Sequence, residues 1–209
     1  GMGRYFDVIA GIQWAVRQRL TYGIRVLNLS LSATPRSHYW DDPLNQAVMY
    51  AWASGLVVVV AAGNAGPDPM TIGVPGNVPY VITVGAVTDK YHPNESGKFR
   101  LANFSSAGPT YEGFVKPEVV AMGGHIRAYA PDDSTLALRF PDWIDARYPD
   151  MTLSGTSQAA AFAINVRGRP SQMPSPREGG RHHHGRNRTP PHGRPVQAAP
   201  QAIPTGGPP

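Results

Sequence analysis

Apolar residues recur with two different periods along the first part of the chain. Ile9, Ile12 and Val16 fall at helical spacing, which predicts a helix from an Asp7 cap to about Arg19, closed by Gly23. Residues 24–31 open β-branched and then alternate, which predicts a strand whose end reads Asn28-Leu29-Ser30-Leu31-Ser32. Asp42-Pro43 is a helix-start signal, and Leu44, Ala47, Val48 and Ala51 form one apolar face up to a Gly55 cap. Residues 56–60 are continuously apolar, as a strand covered on both faces requires, and residues 81–87 repeat that pattern. Strand, helix and strand with short connections predict an α/β fold, a parallel β-sheet flanked by helices.

In such sheets the working residues gather beyond the carboxyl ends of the strands. Two stretches lie there: Ser30-Leu31-Ser32, and Ala61-Ala62-Gly63-Asn64-Ala65-Gly66. The second lacks the Gly-Lys-Ser/Thr ending of a phosphate loop and the glycine spacing of a dinucleotide turn. Asn64 fits either a turn position with left-handed backbone or a placed amide donor. Farther on, Ser154-Gly155-Thr156-Ser157-Gln158-Ala159-Ala160-Ala161 leads hydroxyls into an alanine-rich segment that is predicted to be helical. Ser157 then lies in a first turn, where unpaired N–H groups and the positive dipole end favour an oxyanion. Two roles fit it: a helix-capping hydroxyl, or a nucleophile toward an acyl group.

Several segments taken together resemble the subtilisin-like serine endopeptidases, in that family's order. They are Asp7-Val8-Ile9-Ala10-Gly11-Ile12, residues 24–32, residues 61–66, residues 81–87, Asn103-Phe104-Ser105-Ser106-Ala107-Gly108-Pro109, Lys116-Pro117-Glu118-Val119-Val120-Ala121, and residues 154–161. The resemblance covers roughly residues 1–163. It implies that Ser157 is the nucleophile and that Asn64, with the Ser157 backbone N–H, forms the oxyanion hole. It implies that Ser30, Leu31 and Ser32 pair with an extended polypeptide substrate. Ala61, Ala62 and Gly63 would flank the pocket for the side chain before the scissile bond. No cofactor is implied.

Two departures change the expectation. In this family the triad aspartate and histidine lie upstream of the matched segments, and neither block is found in this chain. His38 and His92 fall in predicted loops and His125 follows Met122-Gly123-Gly124, so none is expected to serve as base. A serine without a base keeps its proton, so negligible proteolysis is expected of this chain alone. A non-catalytic peptide-binding remnant is the alternative. The second departure is Ala161, which stands where the family has proline, and the apolar pattern stops near Val166. The expected organisation is a partial peptidase domain over residues 1–166 and a Pro/Arg/Gly-rich disordered tail over residues 167–209.

The formal charge of +5 belongs to that tail, which holds seven arginines and one glutamate and leaves the body at −1. No nucleic-acid partner is therefore expected of the body. The longest apolar run, residues 56–62, is too short to span a bilayer, so no membrane association is expected. The chain has no cysteine, which excludes disulfides and thiolate metal sites. Asp132, Asp133, Asp142, Asp145 and Asp150 lack the spacing of a calcium loop, so a solvated surface insertion and no metal are expected.

Overall fold

The computed structural model describes residues 3–89, 99–144 and 149–165. The expected tail, His92 and Val166 lie outside the described residues. Helix α1 (Tyr5–Gln18) leads to strand β1 (Val26–Leu29), helix α2 (Pro43–Ala53), and strands β2 (Val57–Ala61) and β3 (Ile82–Thr88). Strands β4 (Arg100–Leu101), β5 (Val119–Met122) and β6 (Ile126–Tyr129) follow. Helix α3 (Thr135–Arg139), strand β7 (Asp150–Leu153) and helix α4 (Thr156–Asn165) complete the order.

Strands β1, β2 and β3 run parallel side by side, β5 pairs parallel with β3, and β4 pairs antiparallel with its end. The register Val26↔Val57 through Leu29↔Val60 aligns the ends of β1 and β2, so the segments that leave them emerge together. β2 shows why its sequence is continuously apolar. Val58 and Val60 pack with Ile12 and Val16 of α1 and Leu44 and Val48 of α2, whereas Val59 and Ala61 pack with Ala159 and Ala160 of α4. Three layers result, α1 and α2 on one face of the sheet and α4 on the other.

Small residues let α4 approach closely. A Cβ on Gly123 would lie 2.7 Å from the Ala86 Cβ and 2.7 Å from the Gly155 carbonyl oxygen. The Gly155 N–H in turn donates to the Gly123 carbonyl at 2.8 Å. The start of α4 is thus held against the end of β5, and the first turn of α4 faces the ends of β1 and β2.

The structure corrects the expected boundaries in three places. Arg4, not Asp7, stands at the N-cap of α1, and Asp7 in the first turn is paired with the Arg4 guanidinium at 2.9 Å. Strand β1 ends at Leu29, because Ser30-Leu31-Ser32 leaves the ladder and turns toward α4. The acidic insertion is not all loop: Ser134 Oγ accepts from the Ala137 N–H at 3.2 Å and caps the five-residue α3. By contrast α2 starts as expected, with Asp42 accepting from the N–H groups of Leu44 and Asn45 at 2.9 and 3.1 Å.

Candidate active site

A cleft of about 950 Å³ opens beyond the ends of β1 and β2. It is lined by Ser30, Leu31, Ser32, Ala61, Gly63, Asn64 and Ser157, which brings together all but one of the residues expected at the site. The exception is Ala62, which is fully buried behind the wall. Its N–H donates to the Val84 carbonyl and its carbonyl accepts from the Gly73 N–H, each at 3.0 Å.

The amide of Asn64 is oriented by Thr156. Asn64 Oδ1 accepts from the Thr156 N–H at 2.9 Å and from Thr156 Oγ1 at 2.9 Å. A backbone N–H can only donate, so the end facing Thr156 must be the carbonyl oxygen. The Nδ2 end is then directed away and has no protein partner among the described residues. Thr156 is buried, and its Oγ1 also accepts from the Gly63 N–H at 3.2 Å. One hydroxyl thereby ties the turn after β2 to the start of α4. Gly63 adopts φ +109°, which a side chain would resist, and a Cβ there would lie 2.8 Å from Ser106 Oγ. Ser106 Oγ accepts from the Ala65 N–H at 3.1 Å and fixes the far side of the same turn.

Ser157 stands in the first turn of α4, as its sequence setting predicts. Its backbone N–H has no acceptor one turn back along the helix. Its Oγ donates to the Ser30 carbonyl at 3.1 Å, and Ser30 Oγ donates to the Ser157 carbonyl at 2.9 Å. Asn28 Nδ2 donates to Ser30 Oγ at 3.0 Å and extends this network to the end of β1.

The histidines lie elsewhere. His38 stacks on Trp40 with centroids 4.4 Å apart, and its Nδ1 is 3.5 Å from Glu112 Oε1. The His125 N–H donates to Ser154 Oγ at 2.9 Å, and its Nδ1 lies 3.5 Å from Thr88 Oγ1. Among the described residues no histidine lines the cleft. A titratable group that does line it is Tyr5, whose hydroxyl donates to Asp42 Oδ2 at 3.2 Å. Burial, reinforced by the Asp42 charge, pushes the Tyr5 phenol up to about 12.

Sequence reasoning missed Thr156, Ser106 and the Ser157–Ser30 pair. Thr156 carried a usable signal, a second hydroxyl beside Ser157 in the same block. Ser106 carried none, since it touches the site only through the folded turn.

A serine at a helix start and an amide whose donor end has no protein partner among the described residues thus line one cleft beside residues 30–32. The chain belongs to the subtilase family, whose model matches residues 1–169. It is 37% identical over 172 residues to the serine protease AprX of Bacillus subtilis (strain 168), covering 79% of this chain and 38% of AprX. It is 38% identical over 140 residues to subtilisin DY of Bacillus licheniformis, covering 66% of this chain and 43% of that protein. Among solved structures it is similar to sphericase, with TM-score 0.59 and 25% identity over 79% of this chain and 49% of that one. The chain spans about two-fifths of the length of these curated relatives.

Proposed function

We propose that this chain carries the nucleophile and oxyanion half of a serine endopeptidase site. Ser157 Oγ forms a bond to the scissile carbonyl carbon and the C–N bond breaks. The hydroxyl proton passes through a base to the departing amine, and water then cleaves the acyl-enzyme. The observation that carries this reading is the Thr156–Asn64 lock. It leaves an amide donor in the cleft beside a helix-start N–H, the pair needed to hold the developing oxyanion. The substrate is an extended polypeptide lying along residues 30–32.

In this arrangement Ser157 Oγ donates to a carbonyl, which does not raise its nucleophilicity. The isolated chain is therefore a slow enzyme, and its base comes from a segment other than the described residues. The same bond favours a second reading, a peptide-binding cleft without chemistry. Labelling with a fluorophosphonate probe decides between them. Slow labelling of Ser157, lost in Ser157→Ala, supports the half-site. Peptide binding with no labelling at all moves the weight to the binding module. Rapid stoichiometric labelling would show that the isolated chain is fully active.

A further inference from the structure

Two glycines face one hydroxyl across the cleft. A Cβ on Gly63 would lie 2.9 Å from Ser32 Oγ, and a Cβ on Gly73 would overlap that same oxygen. Ser32 Oγ therefore occupies space that both glycines leave open, between the turn after β2 and the segment behind it. That segment cannot easily withdraw. The Gly73 N–H donates to the Ala62 carbonyl at 3.0 Å, and Val74 exchanges two backbone hydrogen bonds with Ala33 at 2.8 and 3.0 Å. The facing wall is equally fixed, because Ser106 Oγ backs Gly63 and holds the Ala65 N–H. Ser32 Oγ itself has no hydrogen-bond partner among the described residues, and it lines the cleft.

We propose that the Ser32 side chain sets the size of the subsite beside Ser157, so that the substrate residue before the scissile bond is glycine, alanine or serine. This rests on the peptidase reading, which threads that residue between residues 30–32 and 61–63. A bulky apolar side chain entering there meets the Ser32 hydroxyl first. The Gly73 backbone, held by its bond to the Ala62 carbonyl, lies directly behind that hydroxyl. The apolar group would also strip water from an oxygen that has no protein partner, a cost that compounds the clash. A methyl or hydroxymethyl group stops short of it, and a substrate hydroxyl can pair with it.

The test uses the full chain and product-like peptides, N-acetyl-Ala-Ala-Ala-X with a free carboxylate and X as Ala, Leu or Phe. Affinities are measured by isothermal titration, with circular dichroism to verify each variant's fold. The unaltered chain is expected to favour X = Ala over X = Phe by about 10–200-fold, the usual discrimination of an apolar pocket by size. Ser32→Gly opens the space and brings that ratio toward one or inverts it. Ser32→Thr, which adds a methyl, widens it, so either variant reports if the other fails to fold. A ratio unchanged in a folded Ser32→Gly chain, or a preference for Phe in the unaltered one, overturns the proposal and leaves the peptidase reading standing. If no peptide binds the folded chain, the peptidase reading fails and the size rule with it.

Discussion

At the scale of single residues the proposed site depends on one buried hydroxyl. Thr156 Oγ1 donates to Asn64 and accepts from the Gly63 N–H, so one buried atom orients the donor amide and fixes the turn that carries it. Thr156→Val keeps the shape and removes both bonds. It leaves the buried Gly63 N–H unpaired, at a cost of roughly 1–3 kcal/mol in urea unfolding. It also removes one of the two bonds that orient the Asn64 amide and leaves only that from the Thr156 N–H, so fluorophosphonate labelling of Ser157 should fall part of the way toward the rate of Asn64→Ala. Loss of one oxyanion donor costs about 10²–10³ in rate where it has been measured. Thr156→Ser, which retains the oxygen, should label within a few-fold of the unaltered chain. Equal labelling by the Val and Ser variants would dissociate Thr156 from the oxyanion site and leave it a purely structural residue.

At the scale of elements, the helix that carries Ser157 is placed by what its neighbours lack. Gly123 has no side chain, and a methyl there would press on both the Ala86 Cβ and the Gly155 carbonyl oxygen. Gly123→Ala should therefore push the start of α4 off the sheet, destabilising the chain by about 1–3 kcal/mol. Peptide binding should weaken with it, whereas Gly11→Ala in α1, where a Cβ meets nothing within 4 Å, should leave binding unchanged. Titration of one peptide against both folded variants measures the contrast, and equal affinities would refute the role of Gly123. The elements themselves were largely legible. Asp42-Pro43 marks a start that local chemistry alone enforces, and β2 is apolar throughout because both its faces are covered. Helix α3 was not legible, since five residues are too few for a helical period to register. Most of the site was legible only through the order of its motifs. Asn64 meets Thr156 across 92 residues of sequence and Ser157 meets Ser30 across 127, separations at which neither period nor spacing carries information. Ala62 shows the limit of motif transfer: it belongs to the block, yet its backbone is engaged in the wall rather than facing the cleft.

At the scale of the whole molecule, Lys116 and Tyr5 act on folding stability with opposite signs. Lys116 is buried with its Nζ donating to the Val81 carbonyl at 3.1 Å and paired with Glu118. Burial holds its pKa below the ordinary 10.5, only partly offset by the Glu118 carboxylate. Between its folded pKa and 10.5 the unfolded chain binds more protons than the folded one, so this group makes stability rise with pH. Tyr5 does the reverse. Its phenol ionises near 10.0 when unfolded and near 12 when folded, so between those values the unfolded chain binds fewer protons and stability falls as pH rises. The two contributions oppose each other in the alkaline range. Tyr5→Phe should lessen the fall, to which Tyr39, its phenol also pushed up by burial, contributes with the same sign, and Lys116→Met should remove the rise. The measurement is urea unfolding as a function of pH on the unaltered chain and both variants. Because Tyr5 pairs with Asp42 whereas Lys116 pairs with Val81 and Glu118, with no partner in common, their effects should add in the double variant. A Tyr5→Phe chain that loses stability above pH 10 as steeply as the unaltered one would show that its phenol is not protected by the fold, and that Asp42 serves α2 alone.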